Sequence, residues 1–420
     1  CQRKAITMEE SLPGILLARI DNDQCDGCGV CFEVCPGWRI RDAKSLKCRD
    51  RFYGPVLTAF LGHAVDPEIR RSSQSGGIAT ALLLYLLRAG KISRALVCRM
   101  LADGSLRPHP YMASEQDLQW SQGSLYCPVA VNSKLSDLKK GDKVAMVGLP
   151  CHVHGIWNLK TQNIGWQKRL PLIIGLICDR TLLYTAMDYL LRKGNVKRGD
   201  VQSLRFRDTS RGLFPENVSI TNKDKHIVEI PAQVRVACKE AFTPARCRLC
   251  YDKLNTYSDI TIGDAWGIKE DSHGYSSIIA RTSGGLQVLL DAQKAKVIAL
   301  EEIDPERVVS GQHLDHHRKI FTAYTKAWNN MGRSVPQYGM EGSLRNELTV
   351  DADICWAKRE VRWHALLKDE CGIEAVVRRV ERRLLREKLV AMSKRFTPRR
   401  ILAGFIRRTT GHIKKSKSMK

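Results

Sequence analysis

Four cysteines, Cys25, Cys28, Cys31 and Cys35, stand at steps of three, three and four and are closed by Pro36. This is the spacing that an iron-sulfur cluster asks of its ligands. Three thiolates on one tight loop reach three corners of a cubane, and Gly27 and Gly29 let the backbone turn around it. A fourth cysteine that precedes a proline characteristically ligates a neighbouring cluster. A disulfide scaffold fits less well, because tightly spaced cysteines in a long charged chain suit metal.

Cys35 therefore asks for a partner motif. Cys1 opens a stretch, Cys1-Gln2-Arg3-Lys4-Ala5-Ile6, that resembles the tail of an earlier copy, in which the last cysteine precedes a short strand. The sequence shows no initiator Met, and it is expected to start inside a ferredoxin domain. Cys1 would then complete the cluster of Cys25, Cys28 and Cys31, with Cys35 separated from its companions upstream. Two other arrangements stay open: all four motif cysteines on one cluster, or Cys48 in place of one of them.

Other residues able to do chemistry are spread along the chain and need elements to gather them. Ser75-Gly76-Gly77 runs into the apolar stretch Ile78 to Leu87, which reads as a helix stopped by Gly90. Backbone N–H groups in such a loop, with the partial positive charge of a helix start, suit a phosphate or pyrophosphate; a tight turn with a cap is the plainer reading. Lys143 to Gly148 and Pro171 to Cys178 read as buried strands, each leading to a cysteine, Cys151 and Cys178. That is where open α/β sheets place ligands. Cys247 and Cys250 form a CxxC pair able to hold two corners of a metal site. The four could converge on a second cluster, although isolated Cys151 and Cys178 would ordinarily be core residues.

The strand–helix alternation from Ile78 to Arg192 predicts a mainly parallel sheet with helices on its faces. Short strands are expected at Val201 to Phe206, Asn217 to Thr221, His226 to Ile230 and Ile260 to Ile262, then a helix over Gly284 to Lys296 and a strand over Val297 to Leu300. Arg39 to Asp66, broken by Gly54-Pro55 and Gly62, reads as a surface linker. His313, His316 and His317 read as a solvated or locally hydrogen-bonded cluster. The fold class expected is α/β with α+β elements. A ferredoxin-type 4Fe-4S domain over 1–50 is followed by a glycine-loop domain over 51–160, a CxxC domain over 161–335 and a basic helical tail over 336–420.

Composition bounds the rest. With 420 residues, 43% of them apolar, the chain can bury a large core. Fifteen cysteines and no visible secretory signal favour a reducing cytoplasm and metal ligation. The longest mainly apolar run is too short to cross a bilayer. Net charge is +24, and from Val376 onward sixteen Lys or Arg face only Glu381 and Glu387. Such a tail attracts an acidic partner or the anionic surface of a membrane. Nucleic acid ranks last, since only Phe396 and Phe405 interleave with these basic residues.

Taken together, Ser75-Gly76-Gly77 with Thr80-Ala-Leu-Leu, Val147-Gly-Leu-Pro-Cys151, Gly175-Leu-Ile-Cys178, Leu204-Arg-Phe-Arg207-Asp208, Cys247-Arg-Leu-Cys250-Tyr-Asp252 and Asp259-Ile-Thr-Ile-Gly-Asp264-Ala-Trp-Gly267 resemble one family in order and spacing. It is the beta subunits of coenzyme F420 hydrogenases and dehydrogenases, with the ferredoxin-fused chlorophyll-pathway reductases. The resemblance implies an FAD-binding α/β core with flavin contacts near Ser75, Gly76, Gly77 and Thr80. It also implies a core 4Fe-4S cluster at Cys151, Cys178, Cys247 and Cys250. His152, Asp179-Arg180 and the long basic C-terminus depart from the family pattern and put the substrate in question more than the cofactors.

The function expected is an iron-sulfur flavoprotein oxidoreductase. Electrons would pass from one or two ferredoxin-type clusters through the core cluster to FAD, which converts single-electron to two-electron chemistry, and on to a small organic acceptor. The partner would be an electron donor or acceptor protein such as ferredoxin. Lys134, Arg205, Arg207 and Asp264 are candidates for the lining of the flavin pocket. The alternative is an electron-transfer subunit without its own substrate, serving a partner enzyme.

Overall fold

The computed structural model describes all residues except 2, 13, 41–47, 49, 102–104, 163–164, 210–215, 270–273, 340–349 and 396–420, and the side chains up to residue 390. The strands are β1 (Ile6–Ser11), β2 (Ile15–Ile20), β3 (Thr58–Ala64), β4 (Arg94–Met100), β5 (Pro108–Ala113), β6 (Val144–Gly148), β7 (Leu172–Leu176), β8 (Val201–Arg205), β9 (Val218–Asn222), β10 (Ile227–Ile230), β11 (Ile260–Asp264), β12 (Ser276–Ala280) and β13 (Ile298–Ile303).

Eight of them form a mixed sheet in the order β13-β3-β12-β11-β7-β6-β4-β5. The centre is parallel, β4 to β6 to β7 to β11, and the flanks are antiparallel. Its strands read as continuous apolar runs because both faces are covered. In β6, Ala145 enters the core beneath the helices Ile78–Arg88 and Ser283–Lys294, whereas Val144 and Met146 turn to the opposite core beside Val153 and Ile156 of the helix Pro150–Gln162. In β7, Leu172 and Ile174 join the first core and Ile173 the second, the two-residue period of a pleated strand. The prolines of β5, Pro108 and Pro110, sit on the edge strand, where a missing N–H is tolerated. Position 160 falls inside the helix Pro150–Gln162, and strands from both sides of it share this sheet.

The expectation of a surface linker over Arg39 to Asp66 is corrected: it contains β3, which lies inside the sheet between β12 and β13, and Phe52 is buried. Gly62, read as a breaker, is there for close approach. A Cβ at that position would lie 2.7 Å from Ala299 O and from Leu300 Cδ2.

A separate antiparallel sheet, β10-β9-β8, packs with the helices Tyr184–Lys193 and Ala232–Ala241. The hairpin β1–β2 is tied on by Arg107, which pairs with Glu10 at 2.7 Å, and by Tyr184 N–H donating to Gly14 O at 2.9 Å. The C-terminal segment forms two helices, Asp351–Ala365 and Glu370–Arg395, and Val376, Val377 and Val380 are buried against the core of this smaller sheet. Among the described residues no helix is long and apolar enough to cross a membrane.

The first of these helices carries a pH-sensitive contact. Arg248 Nε donates to His364 Nε2 at 3.2 Å, and burial together with this guanidinium lowers the imidazole from 6.5 to about 3. Because the folded pKa is depressed, the unfolded chain alone takes up a proton below 6.5. The contribution to stability is therefore complete above 6.5 and is lost as pH falls toward 3. Urea unfolding is expected to show a loss of about 2 kcal/mol from this site between about pH 7.5 and about pH 5, and the loss should shrink in His364→Gln.

Candidate redox site

β6 and β7 run parallel, with Gly148 opposite Gly175, so their C-terminal ends open at the same edge of the sheet. Cys151 begins its helix just beyond β6, and Cys178 lies two residues beyond β7. Cys247 sits on the short helix Ala245–Arg248, and Cys250 follows in a turn closed by Cys250 N–H to Cys247 O at 3.3 Å. Two straps draw these segments together. Cys178 N–H donates to Lys253 O at 3.0 Å, and His154, on the Cys151 helix, meets the buried Asp252 carboxylate at 2.8 Å. Asp252 also accepts from Thr256 N–H at 3.0 Å, which fixes the CxxC turn.

The four thiols converge closely enough to influence one another. Burial pushes Cys151 up to about 11 and Cys250 up to about 12, with Cys247 adding to both. Cys178 is raised well above its usual range by burial, then by Cys247, Cys151 and Cys250. Neighbouring thiols that raise one another in this way become thiolates together only around a compensating cation. Among the described residues no three His, Cys, Asp or Glu side chains close around a single metal ion. An all-sulfur set of four drawn from three segments suits a cubane.

The ferredoxin motif forms an exposed loop with Gly27 and Gly29 both at φ 70°. Arg3 Nε to Asp26 Oδ2, 3.2 Å, and Asp21 N–H to Ala5 O, 2.9 Å, hold the stretch after Cys1 beside that loop. Cys25, Cys28 and Cys35 are exposed and Cys31 is half-buried. Cys48 lies elsewhere: the charges that act on its thiol are Arg51, Asp50 and Arg281, not the motif. The loop is docked on the core by Asn158, which donates to Val34 O and Arg39 O at 3.3 and 3.1 Å, and by Arg246, which donates to Pro36 O at 2.6 Å.

A cavity of about 580 Å³ opens beside the core cysteines, within the range of small-molecule and cofactor sites. Ser75, Gly77 and Thr80 line it, and so does Cys178. Gly77, at φ 78°, starts the helix Ile78–Arg88 with no side-chain cap. Gly76 does not line the cavity. Its N–H donates to Ser276 Oγ at 3.0 Å, and a Cβ there would lie 2.5 Å from Gly62 O. Arg207 and Asp264 are lining residues, joined at 2.6 Å, while Glu216 holds the other side of the guanidinium at 2.8 Å. Arg205 lines a smaller neighbouring recess. Lys134 lines neither; it pairs with Asp137 at 2.9 Å on the turn Val131–Asp137.

Two lining residues, Lys239 and Lys253, carried no sequence signal. Arg180, Lys239 and Lys253 surround Asp179 and hold its carboxyl below the usual range against the effect of burial. His313 and His316 also line the cavity, whereas His317 contacts Tyr251 O at 3.1 Å. His152 is kept neutral: burial lowers it to about 4, and its Nδ1 accepts Leu149 N–H at 3.2 Å.

Comparison with known proteins agrees with this arrangement. The model of the coenzyme F420 hydrogenase/dehydrogenase beta subunit N-terminus matches residues 59–136, that of its C-terminus residues 141–306, and a 4Fe-4S binding domain residues 18–37. The "Coenzyme F420-dependent sulfite reductase" of Methanocaldococcus jannaschii is 29% identical over 68% of this chain, which spans 44% of that relative's length. The "Coenzyme F420 hydrogenase subunit beta" of Methanosarcina barkeri is 23% identical over 71% of this chain and 98% of its own. In fold, a chain of the F420-reducing [NiFe] hydrogenase complex from Methanosarcina barkeri aligns with TM-score 0.54 and 19% identity, covering 69% of this chain and 99% of that one. The two halves of the family signature thus fall in order across the sheet and the cysteine site, behind a 4Fe-4S motif: the chain belongs to the coenzyme F420 hydrogenase/dehydrogenase beta-subunit family.

Proposed function

We propose that this chain is an iron-sulfur flavoprotein oxidoreductase that receives single electrons at its ferredoxin motif and delivers them, by way of a core 4Fe-4S cluster and FAD, to a small organic acceptor. The observation that carries this reading is that Cys178 of the four-cysteine site and the Ser75 to Thr80 loop line the same cavity. When bound, the clusters supply one-electron transfer and the flavin the exchange between one- and two-electron chemistry.

The residues divide the remaining work. Cys151, Cys178, Cys247 and Cys250 would hold the core cluster, with Cys25, Cys28, Cys31, Cys35 and Cys1 as the ferredoxin-type ligands. The unpaired N–H groups at the start of the helix Ile78–Arg88 offer donors to a pyrophosphate. Arg207 stays cationic, since Asp264 and Glu216 more than offset the effect of burial, and it supports the wall of the cavity. Lys239 and Lys253, both within 4 Å of Asp179 (3.9 and 3.8 Å), add positive charge beside Cys178. His152 presents a neutral ring.

A second reading is favoured by the relatives covered nearly end to end, which carry subunit names: the chain would be an electron-transfer subunit that serves a docked enzyme. Anaerobic purification with iron, sulfide and released flavin counted per chain tests the cofactors. Turnover of an added organic acceptor with dithionite-reduced protein is the result expected for the enzyme, and reduction without turnover would favour the subunit. Colourless protein would overturn both.

A further inference from the structure

Two arginines flank Cys247, and they are treated differently. Arg248 is buried with a carboxylate, its Nη2 lying 3.4 Å from Glu360 Oε2. Arg246 is half-buried, and among the described residues it meets no carboxylate. Its guanidinium donates to three neutral oxygens: Pro36 O at 2.6 Å, Leu249 O at 3.3 Å and the Tyr338 hydroxyl. Withdrawing a cation from water without a counter-charge is unfavourable. Tyr338, Cys250 and Cys151 act on it electrostatically, and the two cysteines would be thiolates as ligands of the core cluster.

We propose that Arg246 is a positioning residue, both the fixed positive counter-charge of the cluster held by Cys151, Cys178, Cys247 and Cys250 and the strut that seats that cluster against the ferredoxin motif through Pro36. The inference rests on the cluster assignment made above. Reduction adds one electron to the cluster and leaves Arg246 protonated throughout, so a cation beside it favours the reduced form. Electrons arriving through Cys35 and Pro36 would then meet an acceptor made easier to reduce. Tyr338 shares the arrangement: its hydroxyl contacts Leu249 O as well as Arg246, and Gln337 next to it accepts Ile40 N–H and donates to Trp38 O, clamping the exit of the ferredoxin motif.

The test is an anaerobic redox titration of the full chain with dithionite and mediators, followed by electron paramagnetic resonance. Cys178→Ser identifies the core signal as the one it abolishes. Arg246→Gln is expected to lower the equilibrium constant for core reduction at least tenfold, about 59 mV for a one-electron couple, with the motif signal unmoved. Arg246→Lys, which keeps the charge, is expected to stay near the wild-type midpoint. An unchanged core midpoint in Arg246→Gln overturns the inference. If Arg246→Gln fails to load core iron while Arg246→Lys loads it at the wild-type midpoint, the counter-charge role stands; if both fail to load, the role is one of shape and the inference falls. If no wild-type signal is sensitive to Cys178→Ser, the cluster assignment itself has failed, and this inference with it.

Discussion

Replacing Cys178 with serine is expected to lower the iron of anaerobically purified protein by about four atoms per chain, one [4Fe-4S] complement, and to leave the ferredoxin-type signal in place. The substitution is nearly isosteric, and the backbone strap from Cys178 N–H to Lys253 O does not involve the thiol. Loss of iron would therefore report a lost ligand rather than a lost fold. Cys238 is the matched control. It is fully buried among apolar residues such as Phe242 and Ala237, and burial raises its thiol to about 12, so Cys238→Ser is expected to keep full iron content. Iron and the visible spectrum unchanged in Cys178→Ser would end the core-cluster reading.

The second large effect is expected at the glycine loop. In Gly76→Ala the new methyl would meet Gly62 O at 2.5 Å and Ser276 N at 2.8 Å. Both belong to backbone within the central sheet and have little room to yield. Displacing the loop also breaks the bond from Gly76 N–H to Ser276 Oγ. Overpacking and the lost bond together should cost about 2–4 kcal/mol, read as a fall in thermal midpoint. Because Ser75 and Gly77 flank this residue and line the cavity, the protein should also release flavin more readily. Gly284→Ala, where no atom lies within 4 Å of the added methyl, is expected to be neutral or mildly stabilising as a helix substitution. Equal stability and equal flavin retention in the two variants would contradict this account.

The parallel centre of the sheet was legible because β4, β6 and β7 are covered on both faces and so read as unbroken apolar runs. Cys151 and Cys178 stood out as candidates because two of those strands each lead to a cysteine. β3 was not, since Gly62 looks like a break in sequence and reveals itself as a packing requirement only once Ala299 and Leu300 are beside it. The C-terminal tail was legible by its charge, but charge does not say what covers its apolar residues, and Val376, Val377 and Val380 are buried in the protein's own core. Lys134 was a candidate for the lining of the flavin pocket and instead pairs with Asp137, three residues on. Arg246, Lys239 and Lys253 had no pattern to mark them, because their surroundings are built by contacts between distant segments. The 4Fe-4S motif at residues 18–37 needed no such contacts, as all its spacing is local.

The placement of β3 between β12 and β13 has a kinetic side. A chain leaving the ribosome exposes residues 58–64 long before their partners at 276–280 and 298–303 exist, so the sheet closes only late in synthesis, against a large loop-closure entropy. Cys151 and Cys178 likewise wait for Cys247 and Cys250. A core cluster held by these four would therefore assemble only after Cys250 has emerged, and until then the apolar strands of the nascent chain stand exposed and call for chaperones.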